Sequence, residues 1–305
     1  MISIIVCTYN RSESLRSTLD SIKKLSVPED IQWELIIVDN NSKDNTREVV
    51  EKFIEKSDIN CRYIFEKQQG LSFSRNSGIS NANGEIIAFT DDDVIVDENW
   101  IRNIGRMFEN KDVACVGGKI LPVWEKPCPN WLKGELLFNY LALCDLGEET
   151  IKLVRPTIWG ANLSIRTSIF EKYGVFDTNY GHTGEKLYGG EETNYLMSLM
   201  EAGEGIFYCP NILVHHCIPG HRMKKSYFRK WMHDKGELSA IQMGKYNNRN
   251  LFGIPLYMIK RTMKALNKYM RIQIFHPENA FHKQLDFYYH LGILEGRMKY
   301  TKDRS

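Results

Sequence analysis

The chain has 305 residues, 43% of them hydrophobic and 26% charged, with a formal net charge of +2. That is enough chain to bury a sizeable core, and the composition excludes a disordered, collagenous or membrane-spanning protein. No apolar run approaches the roughly 18 residues needed to span a bilayer, and MISIIVCTYN has neither the basic region nor the cleavage site of a signal peptide. The seven cysteines (Cys7, Cys61, Cys115, Cys128, Cys144, Cys209 and Cys217) are scattered and form no C-x-x-C pair. They argue against a disulfide framework or structural zinc site and fit a reducing cytoplasm.

Short apolar, β-branched runs alternate with amphipathic stretches through the first third of the chain. Ile2 to Cys7 reads as a strand, followed by a helix carrying Leu15, Leu19 and Ile22. A strand at Glu34 to Val38, a helix from Thr46 with Val49, Val50, Phe53 and Ile54, and a short strand at Arg62 to Phe65 follow. Leu71 to Asn81 is predicted as a helix and Glu85 to Phe89 as the next strand. Such an alternation implies a parallel sheet covered on both faces. Further on, Ile101, Ile104 and Phe108 indicate a helix, Val113 to Val116 a strand, and Pro122, Pro127 and Pro129 a loop. Ala161 to Ile165 and Ile206 to Val214 read as strands, with a helix at Glu191 to Ala202 between them. The tail from Tyr227 reads as helical, with a break near Asn247 to Pro255.

Ligands of open α/β sheets bind beyond the carboxyl ends of the strands. Here the first apolar run ends in Thr8-Tyr9-Asn10-Arg11, the second in Asp39-Asn40-Asn41-Ser42, and a later one in Thr90-Asp91-Asp92-Asp93. One sheet edge therefore collects hydroxyl, amide and carboxylate groups. Three adjacent carboxylates repel one another unless a cation or hydrogen bonds compensate, and oxygen ligands of this kind suit Mg²⁺ or Mn²⁺ bridging to a diphosphate. An isolated DDD run is more often a solvated acidic turn; its position after EIIAF reverses that preference.

IIVCTYNR, LIIVDNNSKDNT, QGLSFSRNSGI and AFTDDDV, in this order, closely resemble the inverting glycosyltransferase family two, which has the GT-A fold. The resemblance continues through WGANLSIRTSIFEKYGVFD, LYGGEETNYLMSLMEAG and HHCIPGHRMKKSYFRKW, about three quarters of the chain. It implies a Rossmann-like, mostly parallel α/β sheet flanked by helices, with a GT-A catalytic domain over 1–218 and a basic helical extension over 219–305. It implies that Thr8, Tyr9 and Asp39 hold the nucleobase, with Asn10 and Arg11 beside them. Arg75 and Asp92 would lie at the donor, Asp91 near the ribose, and Asp93 on a Mn²⁺ or Mg²⁺ ion. Each role has a plain alternative: Asp39 could cap the following turn, Tyr9 could pack with a wet tip, and Arg75 could be a surface arginine.

Where the family has an acidic pair, usually Glu-Asp, before an amphipathic helix, this chain has Gly189-Gly190-Glu191-Glu192. The resemblance aligns Glu192 with the usual catalytic Asp as general base, with Glu191 as the fallback; both acids could instead simply begin a helix, where negative charge suits the dipole. His215 and His216 point to opposite faces if they lie on a strand, and the H-x-I-P pattern resembling the family selects His216 for the metal or donor site. Arg222 and Lys224 are candidates for the diphosphate, or else a solvated basic loop. Trp159, Gly160 and Asn162 are candidates for the acceptor sugar, although a core tryptophan is an equal alternative.

From Pro219 to Ile272 there are thirteen Lys and Arg against two acids, a local balance of +11, so the remainder carries −9. Lys260, Lys264 and Lys268 recur every four residues, with Leu256, Ile259, Met263, Leu266 and Met270 as the apolar positions of the segment. A helix of this kind either lies on an anionic membrane or packs on its own domain with its lysines in water. Together these features predict an inverting, metal-dependent transferase using a nucleoside diphosphate sugar, with UDP the expected nucleotide. The predicted acceptor is a glycan or glycolipid hydroxyl in surface polysaccharide or glycoconjugate synthesis. The predicted setting is the cytoplasm, with peripheral contact at the inner membrane face through 256–272 and no nucleic-acid partner. The rival readings are a silent sugar-nucleotide-binding module and a nucleotidyltransferase. VCTYNRSES lacks the Gly-rich, Lys-bearing phosphate loop of the latter, and the retained acids speak against the former.

Overall fold

Apolar runs with no polar face need cover on both sides, and the first strands receive it. In the computed structural model, β1 (Ile2–Thr8) is followed by α1 (Ser12–Ile22), β2 (Trp33–Asp39), α2 (Thr46–Glu55), β3 (Cys61–Phe65), α3 (Leu71–Asn81) and β4 (Ile86–Asp91). Ile4, Ile5, Val6, Leu35, Ile36, Ile37, Val38, Ile87 and Ala88 are fully buried. Leu15, Leu19 and Ile22 of α1, and Val49, Val50 and Phe53 of α2, supply the helical faces that cover them. The structure describes residues 1–182, 186–243, 250–251 and 254–302.

The chain continues through β5 (Val94–Val96), α4 (Trp100–Glu109), β6 (Cys115–Trp124), α5 (Glu135–Asn139), β7 (Ile151–Lys152), β8 (Leu163–Arg166) and α6 (Thr167–Tyr173). Then come α7 (Glu191–Glu201), β9 (Ile206–Ile218), α8 (Lys225–Gln242), β10 (Asn250–Leu251), β11 (Ile254–Pro255), α9 (Leu256–Phe275) and α10 (Ala280–Lys302). One sheet runs β3-β2-β1-β4-β8-β6-β9-β5, with β7 also on β9. It is parallel from β3 to β4, as the alternation predicts. Beyond β4 it becomes mixed, because β8 pairs antiparallel with both β4 and β6. The sheet is thus GT-A-like with helices on its faces, and not the uniformly parallel one that the first third implies.

Three strand boundaries need correction, and the run at Ile206 to Val214 continues to Ile218. The run at Val113 to Val116 belongs to a longer strand, Cys115–Trp124, that carries Pro122 inside it. Pro122 fits because β8 pairs only with Cys115 to Gly117 and the bridge to Cys144 engages Ile120, so a residue without an N–H is tolerated beyond it. The strand expected from Ala161 starts only at Leu163, after a 3-10 turn at Gly160–Asn162.

The chain divides into two compact units: Met1–Gly184 with Gly190–Gly220, and Glu185–Gly189 with His221–Ser305. In the second unit α8 and α10 meet through glycines. A Cβ on Gly236 would fall 2.0 Å from the Tyr289 carbonyl oxygen, and one on Gly292 would fall 2.0 Å from that of His233. Such backbone approach is available only without side chains. In the same unit Lys230, Lys186 and Lys299 pair with Asp234 and Glu237. His233, Asp234 and Glu237 offer ligand atoms within 4.8 Å of one another, but lysines already compensate those carboxylates.

Only a narrow arc of the α9 surface is covered. Met258, Thr262 and Ala265 are its buried residues, whereas Leu256, Met263, Leu266 and Met270 are exposed and Ile259 is half-buried. The apolar positions named from sequence are thus mainly the solvent face. The expected break at Asn247 to Pro255 falls partly on residues outside those described; its described part is the small β10-β11 pair.

Candidate active site

β1 and β2 end side by side, Thr8 opposite Asp39. Each is followed by an asparagine in the left-handed region, Asn10 at φ 52° and Asn41 at φ 64°, a conformation that Asn tolerates better than most residues. The two loops lock together: the Asn10 N–H donates to Ser42 Oγ at 2.9 Å, and the Lys43 N–H donates to Asn10 Oδ1 at 2.7 Å. Asp39 is buried and its two oxygens accept from the Ser42 N–H (2.9 Å) and the Tyr63 hydroxyl (2.8 Å). The turn-capping alternative therefore holds for Asp39, and nothing in the sequence marks Tyr63 as its partner. Tyr9 is exposed at the same edge.

β4 delivers the three aspartates beside these loops, with Asp91 next to Cys7 in register. The Thr8 hydroxyl donates to Asp92 Oδ2 at 2.7 Å. Arg11 Nη1 lies 2.9 Å from both Asp92 Oδ1 and Asp93 Oδ2. Asp92 is thus held inside the protein by Thr8 and Arg11, and Arg11, whose side chain is 41% exposed, binds carboxylates here. Burial raises the pKa of both Asp91 and Asp92, helped by the charge of Asp93, against the pull of Arg75 on Asp91 and of Arg11 on Asp92.

β5 was not foreseen, and it is what brings Asp93 to His216. Val94 pairs with His216 across β5 and β9, and the Cys217 N–H donates to the Asp93 carbonyl at 2.8 Å. His216 is buried, while His215, on the opposite face of the strand, is half-buried. His216 Nδ1 lies 2.8 Å from the Leu141 carbonyl oxygen, and Nε2 lies 3.0 Å from Asp93 Oδ1. A carbonyl accepts only, so Nδ1–H donates to Leu141, and this fixes the ring with Nε2 facing Asp93. A carboxylate and an oriented imidazole are a donor pair suited to a divalent metal.

The acid pair sits at the start of α7, after Gly190 at φ 109°. Arg75 is buried, on α3, with Nη1 2.8 Å from Glu191 Oε1 and 3.0 Å from Glu192 Oε1, and Nη2 3.9 Å from Asp91 Oδ1. Its guanidinium also stands over Phe89 and Phe176. Arg75 is therefore not a surface arginine: its charge faces the glutamates, and it links them to Asp91. The Gly160 N–H donates to Glu192 Oε1 at 3.1 Å. A Cβ at Gly160 would lie 1.9 Å from Arg75 Nη2 and 2.5 Å from Glu192 Oε1, so any other residue here would displace the ends of both side chains.

The two glutamates differ in protonation. Burial, then the neighbouring Glu192 charge, push Glu191 up to about 8 despite Arg75. For Glu192 burial also works upward, but Arg75, its own backbone N–H and a hydrogen bond from Glu191 outweigh it, and its pKa is lowered. Among the described residues Glu191 Oε2 has no hydrogen-bond partner. The two acids share a desolvated place beside one cation, which favours the protonated form at Glu191 and the ionised form at Glu192.

The acceptor candidates need correction. Asn162 is buried: its Oδ1 accepts from Trp100 Nε1 at 2.9 Å, and its Nδ2 donates to the carbonyls of Lys119 and Ile212 at 3.1 and 2.8 Å. It braces the sheet and has no polar atom left over for a sugar. Gly160 is buried under the acid pair. Trp159 is half-buried with Nε1 bonded to the Leu143 carbonyl at 3.2 Å. Arg222 and Lys224 belong to the second unit, immediately before α8.

The sheet edge thus gathers an Asp triplet, an oriented histidine and a buried acid pair, and comparison with known proteins gives the family. Residues 3–174 match the model of glycosyl transferase family 2, and the chain belongs to that family. It is 30% identical over 222 residues to the glucosyl-dolichyl phosphate glucuronosyltransferase of Haloferax volcanii, covering 70% of this chain and 68% of that one. It is 27% identical over 230 residues to the succinoglycan biosynthesis protein ExoM of Rhizobium meliloti, covering 75% and 71%. Among solved structures, the mannosyltransferase PcManGT of Pyrobaculum calidifontis, in complex with GDP-Man and Mn²⁺, superposes with TM-score 0.62 at 16% identity over 100% of this chain and 88% of that one. S. aureus TarS 1-349 in complex with UDP superposes with TM-score 0.53 at 16% identity, over 100% and 92%. At such identities the superpositions establish the GT-A fold. The protein is a glycosyltransferase.

Proposed function

We propose that this glycosyltransferase is inverting and metal-dependent, and moves a sugar from a nucleoside diphosphate, UDP as the first candidate, to a hydroxyl of a glycan or glycolipid. The observation that carries the reading is the Arg75 bridge, which connects the strand tip at Asp91 with the ionised Glu192. Tyr9 offers a stacking face for the nucleobase and Thr8 borders it. Asp39 keeps lone pairs beyond the two already engaged, to accept an imide N–H. Asn10 and Arg11 shape the loop above, Asp91 is read as the ribose contact, and Asp92 keeps Arg11 in place.

Asp93 and His216 would hold the cation. Their mixed oxygen and nitrogen set favours Mn²⁺ over the harder Mg²⁺, and the bound ion would stabilise charge on the departing diphosphate. Glu192 takes the proton of the acceptor hydroxyl. The acceptor oxygen forms its bond to the anomeric carbon as the sugar–phosphate bond breaks, and the electron pair leaves with the diphosphate. Arg75 and the Gly160 N–H hold Glu192 in place for this, and Glu191 keeps its proton. The relatives named for glucuronosyl transfer and succinoglycan biosynthesis support a role in glycoconjugate or polysaccharide assembly. Peripheral contact of 256–272 with an anionic membrane at its inner face would bring the enzyme to a lipid-linked acceptor. The PcManGT complex with GDP-Man keeps GDP as a second nucleotide to test.

Calorimetry with UDP and GDP, each with and without Mn²⁺, followed by hydrolysis of a nucleotide-sugar panel, tests the reading. Mn²⁺-dependent binding of one nucleotide and slow hydrolysis of its sugar conjugates are expected. Nucleotide binding indifferent to Mn²⁺ would remove the metal role, and binding without hydrolysis or transfer would favour a silent binding module.

A further inference from the structure

Over the twenty residues Leu256–Phe275, α9 holds five Lys or Arg and no acid. At about 100° per residue its side chains fall into three arcs. Met258, Thr262 and Ala265 form the buried arc. Lys260, Arg261, Lys264, Lys268 and Arg271 form a second, entirely exposed arc. The third contains Leu256, Met263, Leu266, Met270 and Ile274, all exposed, with Met263 at 66% and Ile274 at 69%. Phe275, 70% exposed, closes the helix. A helix that only needed to pack on its own unit would leave polar residues on its remaining surface. Here a row of large apolar side chains runs the length of the helix beside a row of cations.

We infer that α9 is an interfacial helix that inserts the Met263, Met270 and Ile274 row into the acyl boundary of an anionic bilayer while its basic arc pairs with lipid phosphates. Charge complementarity selects the occupant: five cations with no neighbouring acid on the helix fit an anionic surface, and apolar side chains of this length reach below the headgroups. The insertion deepens the peripheral contact proposed above and rests on it for its location. It adds that charge alone does not hold the protein there.

The full-length protein is floated with vesicles of phosphatidylcholine containing about one-third phosphatidylglycerol, and with vesicles of phosphatidylcholine alone. Wild type is expected to float with the anionic vesicles only, more weakly as salt rises. Replacing Lys260, Lys264 and Lys268 together by Gln is expected to weaken binding about 100-fold. The triple variant Met263→Ser, Met270→Ser, Ile274→Ser is expected to weaken it at least about 10-fold at unchanged charge. Ile274→Ser alone should give a smaller loss in the same direction. All substituted residues are exposed, and circular dichroism verifies the fold. Full binding by the serine triple variant, with loss only in the lysine variant, would overturn insertion while keeping the electrostatic contact. Absence of flotation by wild type would overturn both. Lipid-free self-association that the serine variant abolishes, without flotation, would make a second copy of the chain the occupant and overturn the inference. UDP calorimetry on the same samples reports the transfer site independently.

Discussion

Replacing Glu192 by Gln removes the ionised carboxylate while keeping the shape of the side chain. In the wild type Oε1 accepts from both the Gly160 N–H and Arg75, at 3.1 and 3.0 Å, and the glutamine amide oxygen can occupy the same place. Arg75 keeps Glu191 as counterion at 2.8 Å, and without the Glu192 charge Glu191 gives up its proton more readily. The buried guanidinium therefore stays paired, and nucleotide affinity is expected to hold within about threefold, since the nucleotide side of the site is untouched. What is lost is proton abstraction, about 10²- to 10⁴-fold in transfer rate, or about 3–5 kcal/mol in barrier. Glu191→Gln, by contrast, replaces a protonated carboxyl with a neutral amide and should cost less than about tenfold at neutral pH. Initial rates of transfer from a labelled nucleotide sugar, with calorimetric affinities on the same preparations, separate the two variants. If Glu191→Gln proves the more damaging, or Glu192→Gln retains rates within tenfold of wild type, the assignment of the base is wrong.

The same pair predicts a pH dependence of stability. Glu191 is pushed up to about 8 from 4.5 in the folded protein. Between those values the native state holds a proton that the unfolded chain has lost, so this residue's contribution falls as pH rises. Glu191→Gln should therefore unfold at a higher temperature than wild type at pH 8, with the gap narrowing toward pH 5; a gap independent of pH contradicts the shift. Asn162→Ala strands Trp100 Nε1 and two carbonyls. It should cost about 3–5 kcal/mol of stability and leave the acceptor KM unchanged, so a raised KM at unchanged melting temperature would restore Asn162 to the acceptor site. His216→Ala should weaken Mn²⁺ binding at least about 10-fold with metal-free nucleotide binding unaffected, and unchanged Mn²⁺ affinity would exclude the Asp93–His216 site. Gly292→Ala places a Cβ 2.0 Å from the His233 carbonyl and forces α8 and α10 apart. It should cost about 1–3 kcal/mol, read in chemical unfolding, and a variant as stable as wild type would show that the helices can shift without cost.

The parts of the fold that were legible were those written in periodicity. β1, β2 and α3 follow from uninterrupted apolar runs and helical spacing, and α3 has the predicted bounds, Leu71–Asn81. β5 was not legible: three residues following an Asp triplet carry no period, and Val94 to Val96 is a strand only because β9 runs alongside it. Which face of α9 is covered was not legible for a related reason. Apolar spacing reports that a helix has an apolar side, whereas which side is covered depends on the neighbours, and here a narrower arc centred on Ala265 and Met258 is the covered one.

The site divides along the same line. Residue types that chemistry requires at strand ends, the aspartates and Thr8, were readable because a sheet edge exposes whatever follows each strand. Their partners were not, since Arg11 and Asp92 are 81 residues apart, Arg75 and Glu191 are 116 apart, and Leu141 and His216 are 75 apart. No local pattern encodes such separations. The consequence is mechanistic: Arg75, buried between Glu191, Glu192 and Asp91, cannot leave the glutamates without uncovering charge in a desolvated place. A buried cation beside Asp91 and both glutamates holds the Glu192 carboxylate and favours its ionised form, and the glycine at position 160 lets the backbone N–H reach the same oxygen. A side chain there would collide with Arg75 and Glu192 together.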